Sequence, residues 1–215
     1  MSNRQVTVIR IVTHIAALLP LLVLIWDFTQ GNLTANPIRE VQLRTGAAAI
    51  NLLMLSLACT PVNILTGFRP VLLLRRPLGI YAFFYALLHF INFIGIDYGF
   101  NLALIREDLF EKRYAIAGFA SFILLLPLAI TSINRLRQRL GKNWQRLYWL
   151  VYLAATLAVV HYIWQTKAAI RLPLIYGAVL VFLLTVRLPV VRKLARRHFK
   201  WLDKPRHKTT FSSHR

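Results

Sequence analysis

Acidic side chains are scarce in this chain. Seven Asp and Glu stand against 27 Lys and Arg in 215 residues, a formal net charge of +20. Cysteine is scarcer still. The one thiol, Cys59, cannot close an internal disulfide, and it excludes cysteine-ligated iron–sulfur clusters and four-cysteine zinc sites; lying in an apolar run, it reads as a small buried apolar side chain. A G-x-G-x-x-G nucleotide loop is missing, so a dinucleotide or flavin fold is not announced. A C-x-x-C-H heme-attachment motif is missing too. The charge excess would suit nucleic acid on a folded basic surface. Here the cations instead lie between apolar blocks and in the C-terminal tail, which points to no nucleic acid.

What is abundant is hydrocarbon, since 57% of the residues are hydrophobic. They come in blocks of about twenty, the length that crosses the ~30 Å apolar core of a bilayer. The first block, "VTVIRIVTHIAALLPLLVLIW", is longer than a signal-peptide core and has no A-x-A site after it, so it reads as a retained span. Six spans are predicted, at about 6–26, 46–66, 78–96, 114–133, 146–165 and 172–189. Turn and breaker signals separate them: "QGN" at 30, "NP" at 36, "GFRP" at 67 and "GK" at 141, with Pro173 near the start of the last. The fold class expected is all-α, a six-helix transmembrane bundle in a single domain. Residues 190–215 form a basic tail that faces anionic lipid. Pro20 and Pro127 lie inside spans and are expected to kink them, and no internal repeat is evident.

Direction follows from the cations. Of the 27, 20 fall in the N-terminal segment, the 2–3 and 4–5 loops and the tail, against 7 in the other loops. The positive-inside rule then makes both termini cytoplasmic. Asp27, Glu40, Asp97, Glu107, Asp108 and Glu111 fall on the opposite side, and only Asp203 falls inside.

Three histidines lie within spans, His14, His89 and His161; His198, His207 and His214 lie in the polar tail and read as solvated. An imidazole in hydrocarbon is costly unless something there needs it. His89 and His161 sit ~10 Å and ~6 Å from the outer ends of two parallel spans, a matched depth. Two such imidazoles can supply both axial ligands of a b-type heme, and "FFYALLHFINF" and "AVVHYIW" supply bulk suited to a porphyrin. The competing reading is a hydrogen bond to a neighbouring helix. For His14 a heme contact, a quinone contact and a plain hydrogen bond all stay open.

Five segments, in this order and spacing, carry a resemblance: "THIAALLP", "NPIREVQLRTG", "RRPLGIYAFFYALLHF", "GKNWQRLYWLVYLAATLAVVHYIW" and "PLIYG". Over nearly its whole length the chain resembles the MsrQ (YedZ-like) family of the ferric-reductase-like transmembrane superfamily. That resemblance implies a heme b-containing, multi-pass subunit of the bacterial inner membrane. Such a subunit carries electrons for an oxidoreductase system and is not itself the catalytic subunit. It implies His89 and His161 as the heme-iron ligands, with quinol or a cytoplasmic flavin reductase as donor. The acceptor it implies is a periplasmic molybdopterin methionine sulfoxide reductase that repairs oxidised proteins, with FMN as an associated cofactor. The family has a second histidine thirteen residues before the outer one; here that position is Tyr148. An expected inner-heme ligand is therefore absent. Tyrosine can ligate heme iron, which keeps Tyr148 a candidate cofactor contact, and it also reads as an interfacial aromatic beside Trp144 and Trp149. Arg75 and Arg76, or Arg135, Arg137 and Lys142, could hold an FMN phosphate, and topogenesis explains them equally well. With only about 26 residues after the last span, no NAD(P)H dehydrogenase domain is expected. The loops at about 27–45, 97–113 and 166–171 are candidates to dock the partner by topology alone. The rival readings are a diheme cytochrome with another acceptor and a non-redox scaffold or transporter. Against transport, the spans hold almost no acids that could couple to ions.

Overall fold

The computed structural model describes residues 3–166, 170–191 and 193. His198, His207, His214, Asp203, nearly all of the basic tail and the middle of the 166–171 loop lie outside the described residues. All regular structure among the described residues is helical. In chain order the α-helices are α1 (Asn3–Thr29), α2 (Pro37–Thr66), α3 (Arg75–Ile91), α4 (Leu102–Glu111), α5 (Arg113–Ile130), α6 (Asn134–Leu140), α7 (Lys142–Tyr148), α8 (Leu150–Gln165) and α9 (Arg171–Thr185). A 3₁₀ turn, Arg69–Leu73, precedes α3, and a π-helical turn, Asn92–Asp97, extends it.

Among the described residues, five helical segments are long and apolar enough to cross a bilayer: Asn3–Thr29, Pro37–Thr66, Arg69–Asp97, Arg113–Ile130 and Lys142–Gln165. Their exposed faces carry Val, Ile, Leu and Phe, as a lipid-facing surface requires, and the chain is a multi-pass membrane protein. The sixth expected span is shorter. α9 has 15 residues, about 22 Å of helix, against the ~30 Å of the hydrocarbon core.

Packing is organised in two antiparallel pairs, α2 with α3 and α5 with α8. Leu57, Ala82, Tyr85, Ala154 and Ala155 are almost fully buried in the core between them. The small side chains on α3 and α8 let backbones approach, the usual route to tight helix contact without a hydrophobic driving force. Polar bonds then fix the register. Ser121 Oγ donates to the Ala154 carbonyl at 2.8 Å, and the Tyr176 hydroxyl donates to Asn51 Oδ1 at 2.5 Å. Arg187 reaches from the end of α9 to the Tyr152 hydroxyl and the Leu57 carbonyl, both at 2.5 Å.

The helices run through Pro20, Pro61 and Pro127 without interruption. Beside Pro20 a side chain of α3 enters the helix. The Tyr85 hydroxyl inserts into the α1 ladder, donating to the Ala17 carbonyl at 2.9 Å and accepting from the Leu21 N–H at 3.0 Å.

The two ends differ in charge. Asp27, Glu40, Asp97, Glu107, Asp108 and Glu111 lie at the end where α1 finishes and α2 and α5 begin. There Arg44 pairs with Asp27 and Glu40, tying α1 to α2. Lys112 pairs with Asp108 at the junction of α4 and α5, and that bond holds its ammonium above the usual lysine range. The opposite end carries Arg75, Arg76 and the basic residues of α6 and α7.

Candidate functional site

His89, near the end of α3, and His161, near the end of α8, meet in the acidic half of the bundle. Their ring centroids are 6.1 Å apart and their planes cross at 86°. Each ring is held by the other helix of its own pair. His89 Nδ1 bonds the Gln42 carbonyl of α2 at 2.9 Å; His161 Nδ1 bonds the Tyr114 carbonyl of α5 at 2.7 Å. Those two bonds place the proton on Nδ1 in each neutral ring and leave Nε2 with its lone pair. At His89 the Gln42 amide Nε2 stands 3.2 Å from that lone pair, and its Oε1 accepts from Asn92 Nδ2 at 2.6 Å. A metal taken by His89 Nε2 would displace this amide.

Two imidazoles bound to one metal from opposite sides, each at about 2 Å from it, bring their ring centroids to roughly 6 Å. The observed separation matches. The surroundings are aromatic: Phe90 stacks on Phe122 at 4.6 Å and lies 5.8 Å from Phe119, while the Tyr114 ring is 5.9 Å from His161. The donor set, two neutral imidazole nitrogens in an apolar shell, fits the iron of a b-type heme.

The two halves are built alike. The carbonyl and the histidine are 47 residues apart in each, and the carbonyl lies four residues before a glycine, Gly46 or Gly118, that faces the ring. One step of 72 residues carries His89 to His161, Gln42 to Tyr114, Gly46 to Gly118 and buried Ala82 to buried Ala154. A repeat that is not evident in the sequence thus emerges in the geometry.

His14 is not joined to this pair. It lies on α1 with Nδ1 2.9 Å from the Tyr81 hydroxyl, about two helical turns from His89. The same step of 72 residues relates Arg76 to Tyr148, and both line a cavity of about 230 Å³ at the basic end, with Arg75, Arg137, Trp144 and Phe83. Tyr148 faces this cavity instead of pointing outward as Trp149 does. Arg75 Nε donates to its hydroxyl at 2.9 Å, and the Arg75 guanidinium lies 4.2 Å from its ring centroid. Arg76 donates to the Ser132 carbonyl, joining α3 to the end of α5. Sequence reasoning singled out the two histidines that the fold brings together, and it did not single out Gly46, Gly118, Gln42 or Asn92, which pack on or bond to them or to each other.

The class follows from comparison with known proteins. Residues 45–159, which contain most of both helix pairs, match the model of the ferric reductase like transmembrane component. Over 202 residues the chain is 40% identical to the "protein-methionine-sulfoxide reductase heme-binding subunit MsrQ" of Xanthomonas axonopodis pv. citri (strain 306), spanning 91% of this chain and 92% of that protein. The chain belongs to the MsrQ family within the ferric-reductase-like membrane proteins.

Proposed function

We propose that this chain is the heme-binding, electron-carrying membrane subunit of a protein-methionine-sulfoxide reductase system, with His89 and His161 as the two axial ligands of one b-type heme. The observation that carries the reading is the separation of the two rings, 6.1 Å between centroids on helices from different packed pairs. Bound there, the heme would supply one-electron cycling between ferric and ferrous iron. The protein's part is to hold two neutral imidazoles with Nε2 toward the metal, each anchored through Nδ1 to a backbone carbonyl. Apolar and aromatic side chains of α3 and α5 keep water from the site.

The charge pattern orients the molecule. By the positive-inside rule the basic end faces the cytoplasm, where the charge count of the sequence also assigns both termini, and the histidine pair then lies in the outer half of the inner membrane. Electrons enter from the quinone pool or a cytoplasmic flavin reductase. They leave to a periplasmic molybdopterin reductase that repairs oxidised methionines. The acidic-end segments at about 27–45 and 97–113, which include α4, are the surface offered to that partner. His14, bonded to Tyr81, serves as a hydrogen-bonding contact between α1 and α3. The inner position holds no second heme, because Arg76 and Tyr148 stand at the related pair of sites and Arg75 occupies the Tyr148 hydroxyl. FMN is given no place there: Arg75 and Arg76 act as helix ties at the cytoplasmic face, one to the Tyr148 hydroxyl and the other to the Ser132 carbonyl.

Purified protein should show a dithionite-reduced minus oxidised spectrum of a b-type cytochrome with one heme per chain. His89→Ala and His161→Ala should each abolish it, and Tyr148→Phe should leave it unchanged. A protein without heme, or a second heme sensitive to Tyr148, would overturn the assignment.

A further inference from the structure

Each imidazole lies in a notch on the neighbouring helix, and both notches are the same construction. In an α-helix the carbonyl of residue n accepts the N–H of residue n+4. A side chain at n+4 crowds the second lone pair of that oxygen. Glycine at n+4 clears it, and the ring moves in. A Cβ on Gly46 would stand 3.0 Å from both Cε1 and Nδ1 of His89. On Gly118 it would stand 2.7 Å from Nδ1 and 2.9 Å from Cε1 of His161. The torsion that turns a histidine ring about its Cβ–Cγ bond is broad and weakly biased. The orientation of each ring is therefore supplied from outside, by the notch and its carbonyl.

We propose that Gly46 and Gly118 are positioning residues that fix the two ring planes nearly perpendicular, so that iron held between them has crossed axial imidazoles. This rests on the heme reading above and adds an electronic consequence. Each imidazole donates π density into the iron d orbital perpendicular to its own plane. Parallel rings address the same orbital and split it from its partner; crossed rings address both and leave the two nearly equal in energy. The 86° crossing of His89 and His161 belongs to the second case. A near-degenerate pair makes the low-spin ferric ion strongly anisotropic. Its low-temperature electron paramagnetic resonance spectrum is then a single, far-displaced low-field feature instead of three resolved lines.

The experiment uses the full-length, heme-loaded protein in detergent, with heme content measured optically. The wild type should give the single low-field feature. Gly118→Ala should move it toward the three-line form, and Gly46→Ala should do so less, following the closer approach at Gly118. Gly177→Ala is the control, because its Cβ would meet Val159 Cγ1 at an ordinary 3.8 Å, and it should change nothing. Loss of heme from either notch variant, with helical circular dichroism and elution retained and Gly177→Ala still loaded, also supports the notch. Three resolved lines from the wild type overturn the proposal, as do heme-replete Gly46→Ala and Gly118→Ala proteins with unaltered spectra. A wild type that carries no heme overturns the reading of the preceding section instead.

Discussion

The Tyr85 hydroxyl answers two backbone groups of α1 at once, and it does so beside Pro20, where the helix lacks a donor. Removing it leaves the Ala17 carbonyl and the Leu21 N–H without that partner in a dry interior. Tyr85→Phe should cost about 1–3 kcal/mol, read as a lowered midpoint of thermal unfolding in detergent, with heme content unchanged at low temperature. Tyr81→Phe, which loses only the bond to the exposed His14, should cost less in the same assay. An equal loss in the two variants would show that the inserted hydroxyl has no special role. The contrast explains which residues were legible in the sequence. His89 and His161 stand out because an imidazole among apolar residues is itself an anomaly. Tyr85 looks like any tyrosine near an apolar stretch, and its importance lies in a partner helix more than sixty residues away. Gly46 and Gly118 are hidden for the same reason: a glycine gains meaning only from the ring opposite it.

At the scale of the element, α2 begins nine residues before the expected span. The apolar window starts at about 46, but the helix starts at Pro37, capped by Asn36, whose side chain accepts from the Arg39 N–H at 3.0 Å. The "NP" pair read as a breaker is instead an N-cap followed by proline in the first turn, where the missing N–H costs nothing. Charged Arg39, Glu40 and Arg44 mask the helix from a hydropathy reading. This extra length matters to the site because the Gln42 carbonyl that anchors His89 lies within it. Asn36→Ala should destabilise this turn by about 1 kcal/mol. Hydrogen exchange of the amides at 38–42 should then speed up several-fold, while exchange in α5 stays as it was. Uniform acceleration across both helices would instead mark a global effect. α4 and α6 went unread for a related reason, and α7 was read only in part, as the start of the span at 146. Each has ten residues or fewer and carries charge along with its apolar residues, so no span-length window isolates it. The π turn at Asn92–Asp97 has no sequence signature, although it places Asn92 beside Gln42.

For the whole molecule, five of the six expected spans have the length to cross, and α9 falls short by about 8 Å. The bundle was legible because apolar length is a local property of the chain. The pairing of α2 with α3 and of α5 with α8 was not, because it depends on buried alanines and glycines that hydropathy scores as ordinary. The orientation rests on charge alone, and the fold makes it directly measurable. Cys59 is buried at 2% exposure and its thiol donates to the Leu55 carbonyl at 3.2 Å, so the wild type is a silent background for thiol labelling. Glu107 on α4 and Gln138 on α6 are both exposed, at opposite ends of the bundle. Glu107→Cys should react with a membrane-impermeant maleimide in intact spheroplasts, and Gln138→Cys only after the membrane is opened. The reverse pattern would put the histidine pair on the cytoplasmic side and remove the periplasmic reductase as acceptor. Labelling of both in sealed spheroplasts would mean that the impermeant reagent reaches α6 from outside, so the basic end could not be cytoplasmic. The expected pattern would fix the direction of electron delivery: the proposed heme ligands, His89 and His161, would then lie within about 10 Å of the outer boundary, where a periplasmic partner could reach them.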